Sequence, residues 1–193
     1  MLENTDRIRL LDLARCSVER GLGRHMPDRH PEGAWSASLL EQRATFTTLE
    51  LVGELRGCCG TIEPRRPLAH DVWHNAWVSA FADPRFPPVS PAELPGLKFT
   101  ISVLTPLEPI AARSEPELIA ALEPGVDGLV LTCGPARATF LPTVWELLPE
   151  PREFLAQLRH KAGLSAFRSW HEITALRYRT ETFSSHVGAA LAA

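Results

Sequence analysis

The segment Leu55-Arg56-Gly57-Cys58-Cys59-Gly60-Thr61 sets a guanidinium two residues before the first of two adjacent thiols, with glycines on either side. Side chains on a strand alternate, so Arg56 and Cys58 are expected on one face, with Leu55 and Cys59 on the other. A nearby cation favours thiolate over thiol, and Gly57 and Gly60 let a ligand approach the backbone. Cys58 is therefore a candidate nucleophile or redox thiol, with Arg56 beside it. The bland alternative is that both cysteines are small packing residues of a twisted strand, and nothing in the neighbouring sequence supplies the base a nucleophile needs.

Two further clusters carry charge. His70-Asp71-Val72-Trp73-His74 places imidazoles at i and i+4, the spacing of a zinc-protease helix with Asp in place of Glu. The shorter acid and the lack of a third ligand argue against a metal there, and the expectation is a solvated helix face with no metal site. The cysteines also lack paired zinc spacings. Asp83-Pro84-Arg85-Phe86-Pro87-Pro88 is a rigid turn whose two charges either pair with each other or aim at a ligand. There is no glycine-rich phosphate loop and no serine nucleophile elbow.

The elements that position these residues follow from periodicity. Ile8, Leu11, Ala14, Val18 and Leu22 recur at helical spacing, predicting a first helix over 5–22 that ends at Gly21 and Gly23. Residues 24–42 read as a loop. Ala44 to Leu51 and Glu54 to Ile62 read as a hairpin turning at Gly53. Trp73, Ala76, Trp77, Ala80 and Phe81 mark one face of a helix over 67–82, with His70, Asp71 and His74 on the other, before the prolines stop it. Ser90-Pro-Ala-Glu93 and Ser114-Glu-Pro-Glu117 are capping boxes that predict two short helices, with a strand from Leu97 to Thr105 between them. A second hairpin, Gly128 to Cys133 and Ala136 to Leu141, turns at Gly134-Pro135. A helix over 151–162 and a final strand from Ala175 to Phe183 complete the chain. Hairpin, helix and strand thus occur twice. The expected fold is α+β, a single domain over 5–184 with two related lobes (44–105 and 126–183) around a mixed, mostly antiparallel sheet, and a tail over 185–193.

Composition excludes several functions. The 193 residues hold 45% apolar and 22% charged side chains, enough to bury a core without a staple and too apolar for disorder. The formal charge of -3 and the absence of a basic stripe argue against nucleic acid as a partner. Acidic Glu3, Asp6 and Asp12 interrupt the N-terminal apolar run, so no signal peptide is read, and no window is long enough to cross a membrane. The expected location is the cytoplasm, with Cys16, Cys58, Cys59 and Cys133 as free thiols. The 17 prolines exceed the usual share, and only Lys98 and Lys161 are lysines among 20 basic residues, a bias read first as genomic base composition.

LRGCCGT (55–61), NAWVSAFADPRFPP (75–88), ISVLTPLEPI (101–110), GVDGLVL (125–131), ATFLP (138–142), FLAQLRHKAGL (154–164) and RYRTETF (177–183) together resemble the AMMECR domain family, in the same order over most of the chain. The family usually reads LRGCIGT, so Cys59 takes the Ile position, which fits a buried face and argues against a vicinal-dithiol role. His70 and His74 lie outside the pattern. The resemblance implies two related lobes. It also implies a component of a three-part system with a Memo-type protein and a radical SAM protein, a partner of redox or radical chemistry. The implied cleft is lined by Arg56, Cys58, Thr61, Asp83 and Arg85: Cys58 and Arg56 as candidate catalytic residues, Thr61, Asp83 and Arg85 as candidate binders of a small anionic substrate or partner. No cofactor is assigned. The alternatives are a stand-alone hydrolase or transferase with a cysteine nucleophile, and an interaction module in which Arg56 and Arg85 form a docking patch.

Overall fold

The computed structural model describes residues 1–23, 35–164 and 169–185. Most of the loop expected over 24–42 and nearly all of the expected tail lie outside them; residues 35–42 contain a short helix, α2 (Ala37–Leu40), which was not expected. The other elements are α1 (Asn4–Gly21), β1 (Thr45–Leu51), β2 (Glu54–Gly60), α3 (Leu68–Phe81), β3 (Leu97–Leu104), β4 (Glu108–Ile110), α4 (Glu115–Ala121), β5 (Gly128–Cys133), β6 (Ala136–Phe140), α5 (Pro151–Lys161), β7 (Thr174–Tyr178) and β8 (Thr180–Ser184). The fold is α+β, as expected. The strands divide between two four-stranded sheets, ordered β2-β1-β3-β8 and β4-β7-β5-β6, where one mixed sheet was expected. The β1–β2, β1–β3, β4–β7, β5–β6 and β5–β7 pairs are all antiparallel, because each hairpin reverses the chain.

The chain forms two compact units, one from Met1–Leu104 with the segment from Glu181 onward, the other Thr105–Thr180. In each, the first strand of a hairpin is central, pairing with its hairpin partner and with the strand that follows the helix. The echo of hairpin, helix and strand is therefore one of topology as well as order. The expected single strand over 175–183 is two strands separated at Arg179, and they belong to different sheets.

In the first unit, Leu10, Leu13, Ala14, Val18, Val72, Trp73, Ala76, Phe99 and Ile101 form part of one buried cluster. The buried face of α1 runs through Leu10, Leu13, Ala14, Ser17, Val18 and Gly21, while Ile8, expected inside, is exposed. Gly21 sits against Trp77 and Phe81, where a Cβ would be 2.3 Å from the Phe81 ring, so α1 and α3 approach closely at that end. The β1–β2 turn is made by Val52 (φ 54°) and Gly53 (φ 82°), two left-handed residues, as a tight hairpin requires. In the second unit, Phe154, Leu155 and Leu158 bring α5 onto Leu129, Leu131 and Trp145, and Trp145 stacks on Phe154 with centroids 3.7 Å apart. Among the described residues, no helix is long and apolar enough to cross a membrane.

Of the α3 face expected to be solvated, His70 and His74 are half-buried and Asp71 departs entirely from the expectation. Asp71 is fully buried, because α3 is covered by α1 on one side and by β1 and β2 on the other. Asp71, Asn75 and Ser79, at i, i+4 and i+8, turn toward β1. Asp71 Oδ2 accepts from the Thr45 N–H (3.0 Å), the Thr45 hydroxyl (2.8 Å), the Thr61 hydroxyl (3.0 Å) and Asn75 Nδ2 (2.9 Å). Ser79 Oγ donates to the Thr47 carbonyl at 2.8 Å. A buried carboxylate is tolerable only when paired and hydrogen-bonded, and Arg66 at 3.3 Å supplies the countercharge.

Of the two capping boxes, Ser114 does cap a helix, α4, its side chain accepting from the Glu117 N–H at 3.4 Å. The Ser90 box starts no α-helix: Pro95 cuts the segment to a 3-10 turn, Leu94–Gly96. Glu93 nevertheless folds back on Ser90, accepting from its N–H and its hydroxyl, each at 2.8 Å.

Gly57 of β2 lies against the α3 backbone, where a Cβ would fall 2.1 Å from the Ser79 carbonyl oxygen. Gly57→Ala is expected to destabilise the chain by about 1–3 kcal/mol, read by urea unfolding, because neither backbone can yield without breaking the Ser79–Thr47 bond. An unchanged midpoint would show that β2 does not need this close approach.

Candidate functional site

Strand β2 is an edge strand, and its register against β1 slips between Leu49, opposite Gly57, and Glu50, opposite Leu55. Arg56 is left as the extra residue of a β-bulge, which interrupts the alternation expected from sequence and re-aims its side chain. The guanidinium goes to Glu93, Nε to Oε1 at 2.6 Å and Nη2 to Oε2 at 3.3 Å, and only 11% of the side chain remains exposed.

Beyond the bulge, the outward-facing peptide groups of Cys58 meet the Asp83–Arg85 turn. Asp83 Oδ2 accepts the Cys58 N–H at 2.9 Å, and Arg85 Nη2 lies 3.4 Å from the Cys58 carbonyl oxygen. Asp83 also accepts from the Arg85 N–H (3.1 Å), Nε (3.0 Å) and Nη2 (2.7 Å). Asp83 and Arg85 thus pair with each other and together close the open edge of the sheet. The guanidinium that reaches Cys58 is that of Arg85, with Arg56 turned away to Glu93. Phe86 lies between them, its ring centroid 5.9 Å from Arg56 Cζ and 5.4 Å from Arg85 Cζ, as cation–π contacts allow.

The two thiols face opposite ways. Cys59 lies opposite the fully buried Thr47 on the α3 side, and burial, more than the adjacent Cys58, pushes its thiol pKa up. Cys59 is nevertheless only half-buried, where the motif's Ile position was expected to be buried. Cys58 is half-buried on the other face, where its sulfur receives the Thr48 hydroxyl at 3.4 Å. Thr48 is in register with Thr100, which is hydrogen-bonded to Ser184 at 2.8 Å, so a row of hydroxyls crosses the sheet from Cys58.

The structure therefore brings together Arg56, Cys58, Asp83 and Arg85 and places Thr61 elsewhere, in the Asp71 network. Sequence reasoning missed Glu93 as the partner of Arg56. The signal was present in the capping box, but its glutamate was assigned to a helix start. Asp71 was missed because the i, i+4, i+8 run of Asp71, Asn75 and Ser79 is as compatible with a polar stripe on a sheet as with a solvated face.

Chemically the cluster is electrostatically preset. The Arg85 guanidinium, chiefly through hydrogen bonds, holds the Asp83 carboxyl well below the usual carboxylate range, and four donors on one carboxylate leave it unfit as a general base. Hydrogen bonds from Arg56 hold Glu93 down at about 2. Arg85 keeps 53% of its side chain exposed, so it is the cation of this cluster open to a ligand.

A two-sheet α+β protein with an arginine-, carboxylate- and thiol-bearing sheet edge is the class these features define. Residues 11–183 match the AMMECR1 family model, and the chain belongs to that family. It is 39% identical over 160 residues to a protein of Methanothermobacter thermautotrophicus, covering 80% of this chain and 81% of the relative. A protein of Thermofilum pendens is likewise 39% identical over 170 residues, covering 80% and 78%. The crystal structure of the uncharacterized protein PH0010 from Pyrococcus horikoshii superposes with a TM-score of 0.85 at 31% identity, covering 93% of this chain and 91% of that one.

The pH dependence follows from Glu93. Its pKa is lowered from 4.5 to about 2 in the folded chain, so its contribution is complete above the unfolded value and is lost as pH falls from 4.5 toward 2. Asp83, lowered from 3.8, acts with the same sign. Melting temperature is expected to drop across this window, and Glu93→Gln to flatten the drop while costing about 1–3 kcal/mol at pH 7 through the stranded Arg56. Thermal melts between pH 2 and 7 that run parallel for variant and wild type would refute the assignment.

Proposed function

We propose that the chain is the AMMECR1-type component of a three-part system with a Memo-type protein and a radical SAM protein, and that the Cys58–Arg85 edge is its working face. That face binds a small anionic substrate or an anionic group of a partner. The observation that carries this reading is the coupling of the two motifs: Asp83 takes the Cys58 N–H, which sets the half-exposed Arg85 guanidinium beside a thiol-bearing strand. An anion docked on Arg85 lies against the Cys58 peptide, where a redox role for the sulfur would be exercised.

The stand-alone hydrolase or transferase reading is less favoured by the same geometry. The hydrogen-bond partner of the Cys58 sulfur is the Thr48 hydroxyl, and Asp83, which takes the Cys58 N–H, is saturated by donors. Nothing in this set takes a proton from the thiol at neutral pH.

Cys58→Ser preserves shape and the bond from Thr48, so its melting temperature is expected within about 2 °C of wild type. In cells dependent on the intact three-part system, the same variant is expected to fail to complement. Purified with the Memo-type and radical SAM proteins of the same genome, the wild-type chain is expected to bind at least one. Full complementation by Cys58→Ser would remove sulfur from the function. Absence of binding to either partner, together with rapid alkylation of Cys58 by iodoacetamide at neutral pH, would favour the nucleophile.

A further inference from the structure

The second unit contains a cavity of about 290 Å³ lined by Thr105, Glu108, Asp127, Arg177, Tyr178 and Arg179. Its walls alternate in charge. Arg177 Nε lies 3.2 Å from Glu108, and Arg179 Nη2 lies 2.7 Å from Glu123. Beside the second pair sits Asp127, whose side chain is only 1% exposed. Its Oδ2 accepts the Glu123 N–H at 2.9 Å. Its Oδ1 has no hydrogen-bond donor and is held only by an ion pair with Arg179 Nε at 3.6 Å, the same guanidinium giving its hydrogen bond to Glu123. A buried carboxylate oxygen with an ion pair but no hydrogen bond is under-satisfied, and a better donor placed there is favoured.

Asp127 is also held rigidly. Its N–H donates to the Glu123 carbonyl at 3.0 Å, and its carbonyl accepts the Trp145 indole N–H at 2.8 Å. Arg179 is pinned through its backbone, its N–H donating to Thr105 Oγ1 and its carbonyl accepting the Thr105 N–H, each at 2.9 Å. Its side chain, 58% exposed, can move while its peptide stays in place. Preformed polar groups around a small concavity are what a metabolite site requires.

We infer that this cavity is a binding site for a small zwitterion of the α-amino-acid class. As the exposed Arg179 side chain swings off Asp127, the ligand ammonium takes its place and donates to Oδ1, which is closed to solvent while that ion pair stands. The ligand carboxylate is received by the guanidinium groups of Arg177 and Arg179. Each sign on the wall rules out a simpler ligand. A bare anion would sit beside Asp127 and Glu108, and a metal ion would sit beside two arginines. An apolar molecule would find only the ring of Tyr178, whose hydroxyl is taken up by Thr139 at 2.7 Å. The volume lies at the small end of metabolite sites. The site uses no residue of the Cys58–Arg85 edge and stands or falls independently of the function proposed for it.

The test is calorimetric titration of the full chain with the proteinogenic α-amino acids one at a time. For the tightest binder, its N-acetyl and carboxamide derivatives, each lacking one charge, are titrated as well. Saturable binding with Kd below about 1 mM is expected for at least one amino acid, and at least about tenfold weaker binding for both derivatives. Arg177→Gln, at an exposed position, and Asp127→Asn, which retains the acceptor for the Glu123 N–H, are each expected to weaken binding at least about tenfold. If Asp127→Asn does not fold, Arg177→Gln decides alone. No saturation by any amino acid up to about 10 mM, equal affinity for either derivative, or unchanged affinity in Arg177→Gln would each overturn the proposal.

Discussion

An edge strand presents peptide groups that must be satisfied by something, and at Cys58 that something is a pair of side chains. Asp83 takes the N–H and Arg85 reaches the carbonyl, so a carboxylate and a guanidinium stand where a fifth strand would otherwise dock. The positions of the surrounding groups follow from this. The turn after α3 is fixed to β2, Phe86 is set between two guanidinium groups, and Arg56, displaced by the bulge, is directed to Glu93. A substitution that frees Asp83 therefore acts on the sheet edge and the turn together, while leaving the Asp71 network intact.

That second network answers a different constraint. Helix α3 is covered on both sides, so the stripe of Asp71, Asn75 and Ser79 is cut off from water while His70 and His74 stay half-buried. Its solution is to match that stripe to β1: Asp71 gathers Thr45, Thr61 and Asn75, and Ser79 takes the Thr47 carbonyl. Thr61 is committed there, which separates it from the arginine edge although it follows the LRGC segment by only three positions from Cys58. A motif continuous in sequence is thus divided in space, its first part serving the edge of the sheet and its last residue the interior.

What the sequence made legible is local. Both hairpins, α3, α5 and β3 followed from turn residues and periodicity, and the two-fold echo of hairpin, helix and strand emerged from element order alone. On α1, Ala14 and Val18 were placed correctly and Leu11 packs at the edge of the core, but Ile8 is exposed and Leu10 and Leu13 are buried instead. Both sets fit the apolar period, and only the packing partners select between them. The break at Arg179 carries no proline or glycine, so β7 and β8 read as one strand; the division is set by which sheet each half joins. At the candidate site, Cys58, Asp83 and Arg85 were found because their types and spacing were unusual. Glu93 was not, since its carboxylate has an ordinary local explanation, and a bulge that turns Arg56 toward it leaves no periodic trace.

The two clusters differ in which groups they leave without a hydrogen bond. At the sheet edge every carboxylate oxygen has a donor, and the exposed charge is cationic, on Arg85. In the cavity of the second unit both guanidinium groups have carboxylate neighbours, and the atom without a hydrogen bond is an acceptor, Asp127 Oδ1, held by Arg179 through charge alone. A ligand that enters there must bring a donor and can retain its own negative charge only by competing with Glu108 and Glu123 for the arginines. Because those carboxylates are exposed, their ion pairs are weak and yield at little cost, whereas Asp127 is fixed through its backbone and cannot withdraw. Selectivity in such a cavity rests on the ammonium position, and the carboxylate position sets only how tightly a ligand with the right donor is held.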